Sequence, residues 1–97
     1  MWKLGLFFVG CLALELAPHN ITVNHIGPGW VQSALNDPAP GLQSPEGVEA
    51  QRQAVPLKRD GLPYEMGRAV VYFASPDGDY TTGAFLRVDG GLALGKT

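Results

Sequence analysis

Ile21-Thr22-Val23-Asn24-His25-Ile26-Gly27-Pro28-Gly29 is the stretch on which the reading of this chain turns. Its first six residues are rich in β-branched side chains, which predicts a short strand over Ile21–Ile26. Gly27-Pro28-Gly29 then stops the strand abruptly. Glycine adds no side chain, so this turn lets backbone approach something closely. A second strand is predicted over Ala84–Val88, ended by Asp89-Gly90-Gly91. Between the two, Pro63 opens a helix that runs to about Ala74. Its apolar residues Met66, Ala69, Val70 and Phe73 recur at helical spacing and mark one face. Two strands separated by such a helix make a right-handed crossover with parallel strands. Parallel strands are buried on both faces, and two of them cannot satisfy that alone. The chain therefore reads as one edge of a larger sheet.

On the N-terminal side, Leu4 to Leu14 is an unbroken run of apolar residues and glycine. Two readings compete. A basic start and a run of this length resemble a secretory signal. A buried helix over residues 4–17 explains more, because Glu15-Leu16-Ala17 continues the helical pattern and Pro18 stops it. The run is too short to span a bilayer. On the C-terminal side of Gly29, Asp37-Pro38-Ala39-Pro40-Gly41 is an irregular loop. Ser44 and Pro45 then cap a polar helix to about Ala54, expected to be a cover rather than a core element.

At 97 residues the chain is at most one small domain. Hydrophobic residues make up 45% and charged residues 16%, which excludes a charged disordered tail. Seven basic against nine acidic residues leave no surplus to neutralise phosphates, so no nucleic-acid partner is expected. Cys11 is the single cysteine, so it forms no internal disulfide; in an apolar helix it reads as inert packing. His19 and His25 are not spaced as metal ligands, and no metal is expected.

Taken in order, Ala13-Leu14-Glu15-Leu16-Ala17, Ile21-Thr22-Val23-Asn24 and Gly27-Pro28-Gly29 resemble the C-terminal third of short-chain dehydrogenases/reductases. Arg59-Asp60-Gly61-Leu62-Pro63, Val71-Tyr72-Phe73-Ala74-Ser75, Tyr80-Thr81-Thr82-Gly83 and Val88-Asp89-Gly90-Gly91 continue the likeness in the family's order and spacing. The resemblance covers about residues 11–92. It implies an α/β fold, the C-terminal portion of a Rossmann-type, doubly wound parallel sheet. That portion holds two parallel strands with a crossover helix, plus a preceding helix, within a partial dinucleotide-binding domain over residues 1–97. It implies hydride transfer between NAD or NADP and a small alcohol or carbonyl, sugars and polyols included, in the cytoplasm and away from membranes.

By the same resemblance Pro28 and Gly29 form the turn that packs against the nicotinamide. Val31 and Ser33 fit the pattern whose backbone and hydroxyl hold the carboxamide. Trp30 and Leu35 fall on the substrate side, with core or lid packing as the other reading. Residues 34–60 correspond to the family's variable substrate-loop region. Residues 63–74 and 84–88 correspond to segments that pack across a two-fold axis, and residues 4–17 to the remnant of a helix that makes a second such contact, so a homo-oligomer is implied. Two family features do not occur in this sequence: a glycine-rich loop after a strand, and a Tyr-x-x-x-Lys pair. The residues four beyond Tyr64, Tyr72 and Tyr80 are Arg68, Pro76 and Ala84. No catalytic residue is therefore assigned. The alternatives are a non-catalytic chain that docks with a full-length homologue or is a relic and, ranked below it, a small secreted protein with a signal peptide over residues 1–11.

Overall fold

A computed structural model describes residues 2–32 and 44–96. In chain order the elements are α1 (Trp2–Leu16), β1 (His25–Pro28), α2 (Pro45–Ala54), α3 (Pro63–Ala74) and β2 (Phe85–Val88). Short 3-10 turns cover Ala17–His19, Pro76–Gly78 and Leu92–Lys96. β1 and β2 pair with each other. The His25 N–H donates to the Ala84 carbonyl at 2.9 Å, and four residues further along both strands the Gly29 N–H donates to Val88 at 3.2 Å. This equal advance is the parallel arrangement that the sequence predicts.

The chain forms two compact units, residues 1–27 with 68–86 and residues 28–67 with 87–97. In the first, α1 runs into Pro18 and stops. Asn20 takes the left-handed conformation, φ 59°, and its N–H closes on the Ala17 carbonyl. Of α1 only Ala13 is buried among the described residues; Leu4, Phe7, Phe8 and Leu14 are exposed. The expectation of a buried helix thus holds for one stripe and fails for the opposite face. Cys11 is also exposed rather than packed inside.

The strand predicted over Ile21–Ile26 begins only at His25. The reason is Asn24. Its Nδ2 donates to the Thr81 carbonyl at 3.1 Å and its Oδ1 accepts from the Ala84 N–H at 3.0 Å. The Thr82 hydroxyl likewise accepts from the Val23 N–H. Side chains take several of the places a backbone ladder would use, beside one backbone bond from the Gly83 N–H to the Val23 carbonyl at 2.7 Å, so residues 23–24 run beside 81–84 without forming a regular strand. Nor does Gly27-Pro28 end β1, which continues through Pro28. His25 and Gly29, on either side of the proline, make the bonds to the neighbouring strand, so the missing proline N–H removes nothing from that ladder. Gly27 is required by the Phe85 ring, which a Cβ there would meet at 2.5 Å.

In the second unit, α2 starts where Ser44 and Pro45 predict. The Ser44 Oγ accepts from the Gly47 N–H at 3.0 Å. Expected as a cover, α2 nevertheless buries Val48, and Val55 beyond its end is the most enclosed side chain among the described residues. Val55 packs over Gly90, which with Gly91 adopts positive φ (63° and 91°). α3 spans the predicted residues, but its predicted apolar face is only partly used. Ala69 is buried, whereas Val70 is 54% exposed.

Candidate functional site

The carboxyl ends of both strands lie in the second unit. Pro28 is exposed as the last residue of β1. Gly29 follows, and a Cβ on it would fall 2.8 Å from the Asp89 Cα and Cβ. The close approach that this glycine permits is therefore to backbone beyond β2. Asp89 is held in turn by its own turn: its carboxylate oxygens accept from the Gly91 and Ala93 N–H groups at 2.9 and 3.1 Å.

Trp30 is 38% exposed and lines a cleft of about 520 Å³, with Met66, Arg87, Val88 and the glycines after Asp89 among its other walls. Val31 is half-buried and forms an isolated parallel bridge with Gly61. Ser33 and Leu35 lie outside the described residues, as do all of residues 34–43 of the expected substrate-loop region. Of the residues singled out by sequence, Pro28, Gly29, Trp30 and Val31 thus come together at the carboxyl end of β1.

Residues 59–62 belong to the same place, a role that the resemblance does not give them. The Gly61 N–H donates to the Trp30 carbonyl at 2.7 Å, and its carbonyl accepts from the Gln32 N–H at 2.9 Å. Arg59 makes a two-pronged ion pair with Glu65, its Nη atoms 2.9 and 2.8 Å from the carboxylate oxygens. This contact, through the hydrogen bond first and the charge second, raises the Arg59 pKa above its ordinary value. Glu65 Oε2 also accepts from the Leu62 N–H at 2.8 Å, closing the first turn of α3. The signal was available: Pro63 opening a helix with Glu65 two residues on is a helix start, and an arginine shortly before it is a ready partner. Among the described residues no cluster suits a metal ion, and no helix is long and apolar enough to cross a membrane.

An α/β sheet binds its ligands outside the carboxyl ends of its strands. An exposed proline followed by glycine at such an end offers a flat surface of the kind a planar ring lies against. Comparison with known proteins defines the class. Residues 6–93 match the family model described as enoyl-(acyl carrier protein) reductase. The chain belongs to the short-chain dehydrogenase/reductase family. It is 41% identical over 87 residues to nodulation protein G of Rhizobium sp. (strain N33), covering 90% of this chain and 34% of that protein. It is 38% identical over 86 residues to glucose 1-dehydrogenase of Gluconobacter oxydans (strain 621H), covering 89% and 32%. A solved short chain dehydrogenase family protein from Francisella tularensis subsp. tularensis SCHU S4 superposes with a TM-score of 0.82 at 26% identity, covering 95% of this chain and 41% of that one. The chain spans about a third of the length of the curated relatives it matches.

Proposed function

We propose that this chain supplies the carboxyl-terminal part of an NAD(P)-dependent short-chain oxidoreductase acting on an alcohol or carbonyl. In this reading Pro28 and Gly29 present a flat surface to the nicotinamide, Val31 and Ser33 hold its carboxamide, and Trp30 and Leu35 face the substrate. The nicotinamide, when bound, gives or takes the hydride. Residues 1–97 are then part of one dinucleotide-binding domain, residues 34–60 its substrate-loop region, and the protein works in the cytoplasm as a homo-oligomer. A lone thiol such as Cys11 suits that reducing compartment. Neither nucleic acid nor membrane is a partner in this reading.

The observation that carries the proposal is the meeting of Pro28–Val31 with Gly61 and Asp89 at the carboxyl end of β1. The relative named glucose 1-dehydrogenase makes sugars the first substrates to try. Reading the native transcript upstream of Met1, together with the intact mass of the native protein, tests the proposal. An in-frame glycine-rich loop and Tyr-x-x-x-Lys pair upstream support it. A native product of 10.3 kDa that binds neither NADH nor NADPH overturns it.

A second reading has its own observation. The exposed Leu4, Phe7, Phe8 and Leu14 side of α1 is an apolar face suited to docking on a full-length homologue, with no turnover by the chain itself. In either reading the 97-residue chain alone, whose sequence has no Tyr-x-x-x-Lys, is expected to show no dehydrogenase turnover. A spectrophotometric assay at 340 nm with sugar and polyol substrates checks this (the wavelength is about where the reduced nicotinamide absorbs).

A further inference from the structure

Asp60 is a buried acid, 9% exposed, and its carboxylate accepts from Arg52 Nε at 3.2 Å. A carboxylate removed from water to this degree needs such a partner. Arg52 stands in the last turn of α2, so the pair ties α2 to the segment that follows it. The next residue, Gly61, spends both of its backbone groups on Trp30 and Gln32. On the other side of the same segment, Glu65 of α3 grips Arg59 and the Leu62 N–H. Four consecutive residues thus receive α2 at Asp60, α3 at Arg59 and Leu62, and residues 30–32 at Gly61. One peptide link separates the anchor on α2 from the anchor on 30–32. That link holds the two Cα atoms about 3.8 Å apart, so Asp60 cannot move far without drawing Gly61 with it.

We propose that Asp60 is a positioning residue that couples α2, through Gly61, to the stretch 30–32 beside Pro28-Gly29. The part of this that concerns a cofactor rests on the reading given above; the coupling within the chain does not. Where α2 is held by a substrate and residues 28–33 by a nicotinamide, both ligands favour one arrangement of 59–62. Each then tightens the other's binding by the same factor, because coupling between sites is reciprocal.

Amide hydrogen exchange on the full 97-residue chain tests the coupling directly. The variants are Asp60→Asn, Arg52→Gln and the two combined, with Arg52→Lys as the conservative rescue. Each single neutral variant is expected to speed exchange at Gln32 and Gly61 at least about tenfold, the scale of one lost charge-assisted hydrogen bond. The double variant should do no more than either single one, and Arg52→Lys should restore most of the protection. The amides of His25, Gly83 and Ala84, in the other unit, should keep their rates. Equal acceleration across both units, additive effects, or an unchanged Gln32 would each overturn the proposal. Should Asp60→Asn unfold the chain, Arg52→Gln against Arg52→Lys still decides it.

NADH and NADPH fluorescence titrations then separate the two claims. A wild-type chain that binds either cofactor should lose at least about fivefold in affinity on Arg52→Gln and recover it on Arg52→Lys. Equal binding by both variants overturns the coupling to the cofactor stretch. A wild-type chain that binds neither overturns the functional reading where the native product is this 10.3 kDa chain, and the exchange rates judge the coupling within the chain in either case.

Discussion

Two residues at the strand ends show how tightly single positions are determined. Gly29 is fixed by what lies opposite it. A methyl group there would sit 2.8 Å from Asp89 Cα, which is backbone and cannot swing aside. Gly29→Ala is therefore expected to destabilise the chain by about 1–3 kcal/mol, the scale of overpacking a closed contact, as read by urea denaturation. Asn24 is fixed by the two bonds it makes in opposite senses, giving to Thr81 and receiving from Ala84. Asn24→Ala leaves both groups without that partner and should cost about 1–3 kcal/mol in the same measurement. Asn24→Asp keeps the acceptor for Ala84 but sets a second acceptor against the Thr81 carbonyl, so it should not rescue. The Arg59–Glu65 pair behaves differently. Because Glu65 raises the arginine's pKa, the arginine keeps its charge past its ordinary range, and on the basic side the pair is lost only as pH climbs through the raised value. Neutral and mildly basic solutions leave it intact. Glu65→Gln, by contrast, removes the charge at every pH and should loosen the first turn of α3, seen as faster exchange of the Leu62 amide.

The helices follow local chemistry that can be read one residue at a time, β2 falls at Phe85–Val88 within the predicted Ala84–Val88, and β1 departs from its prediction. α2 begins at Ser44-Pro45 and α3 at Pro63 because a proline at the first helical position is an unambiguous local signal. Ser44→Ala should release the Gly47 N–H and cost about 0.5–2 kcal/mol, with exchange of the Gly47 and Val48 amides rising before that of Val55. β1 was displaced from its predicted place by Asn24, whose amide imitates a backbone and takes the ladder's partners. Composition cannot tell a ladder bond from its side-chain substitute; only the opposite segment, residues 81–84, does that. The Pro28–Val31 cluster was legible because the family likeness marked it. The Arg52–Asp60 pair was not, since residues eight apart in sequence carry no helical or strand period to announce them. The predicted face of α3 failed at Val70 for a related reason. Helical spacing says that Val70 and Ala69 share a neighbourhood, but it does not say what stands opposite each.

For the molecule as a whole, the telling quantity is the apolar surface left in water. Phe7 is 73% exposed and Val70 and Val71 are exposed too, on elements that a family likeness places at contacts between subunits. A soluble chain rarely leaves several large apolar side chains of one helix uncovered. Burying them is worth about 25 cal/mol per Å², enough for a few such side chains to hold two copies together against the cost of association. The chain is therefore expected to self-associate at micromolar concentration, as measured by size-exclusion chromatography with light scattering. Where the contact lies decides which of the two faces pairs. If it runs through residues 63–74, Val70→Asp should return the mass to 10.3 kDa and Phe7→Asp should not, which is the pattern of a subunit pairing like its longer relatives. If Phe7→Asp alone dissolves the assembly, the α1 face is the sticky one. Residues 63–74 then have no part in pairing, and the α1 face, which the resemblance also places at a subunit contact, is the one that a second copy or a full-length homologue would cover.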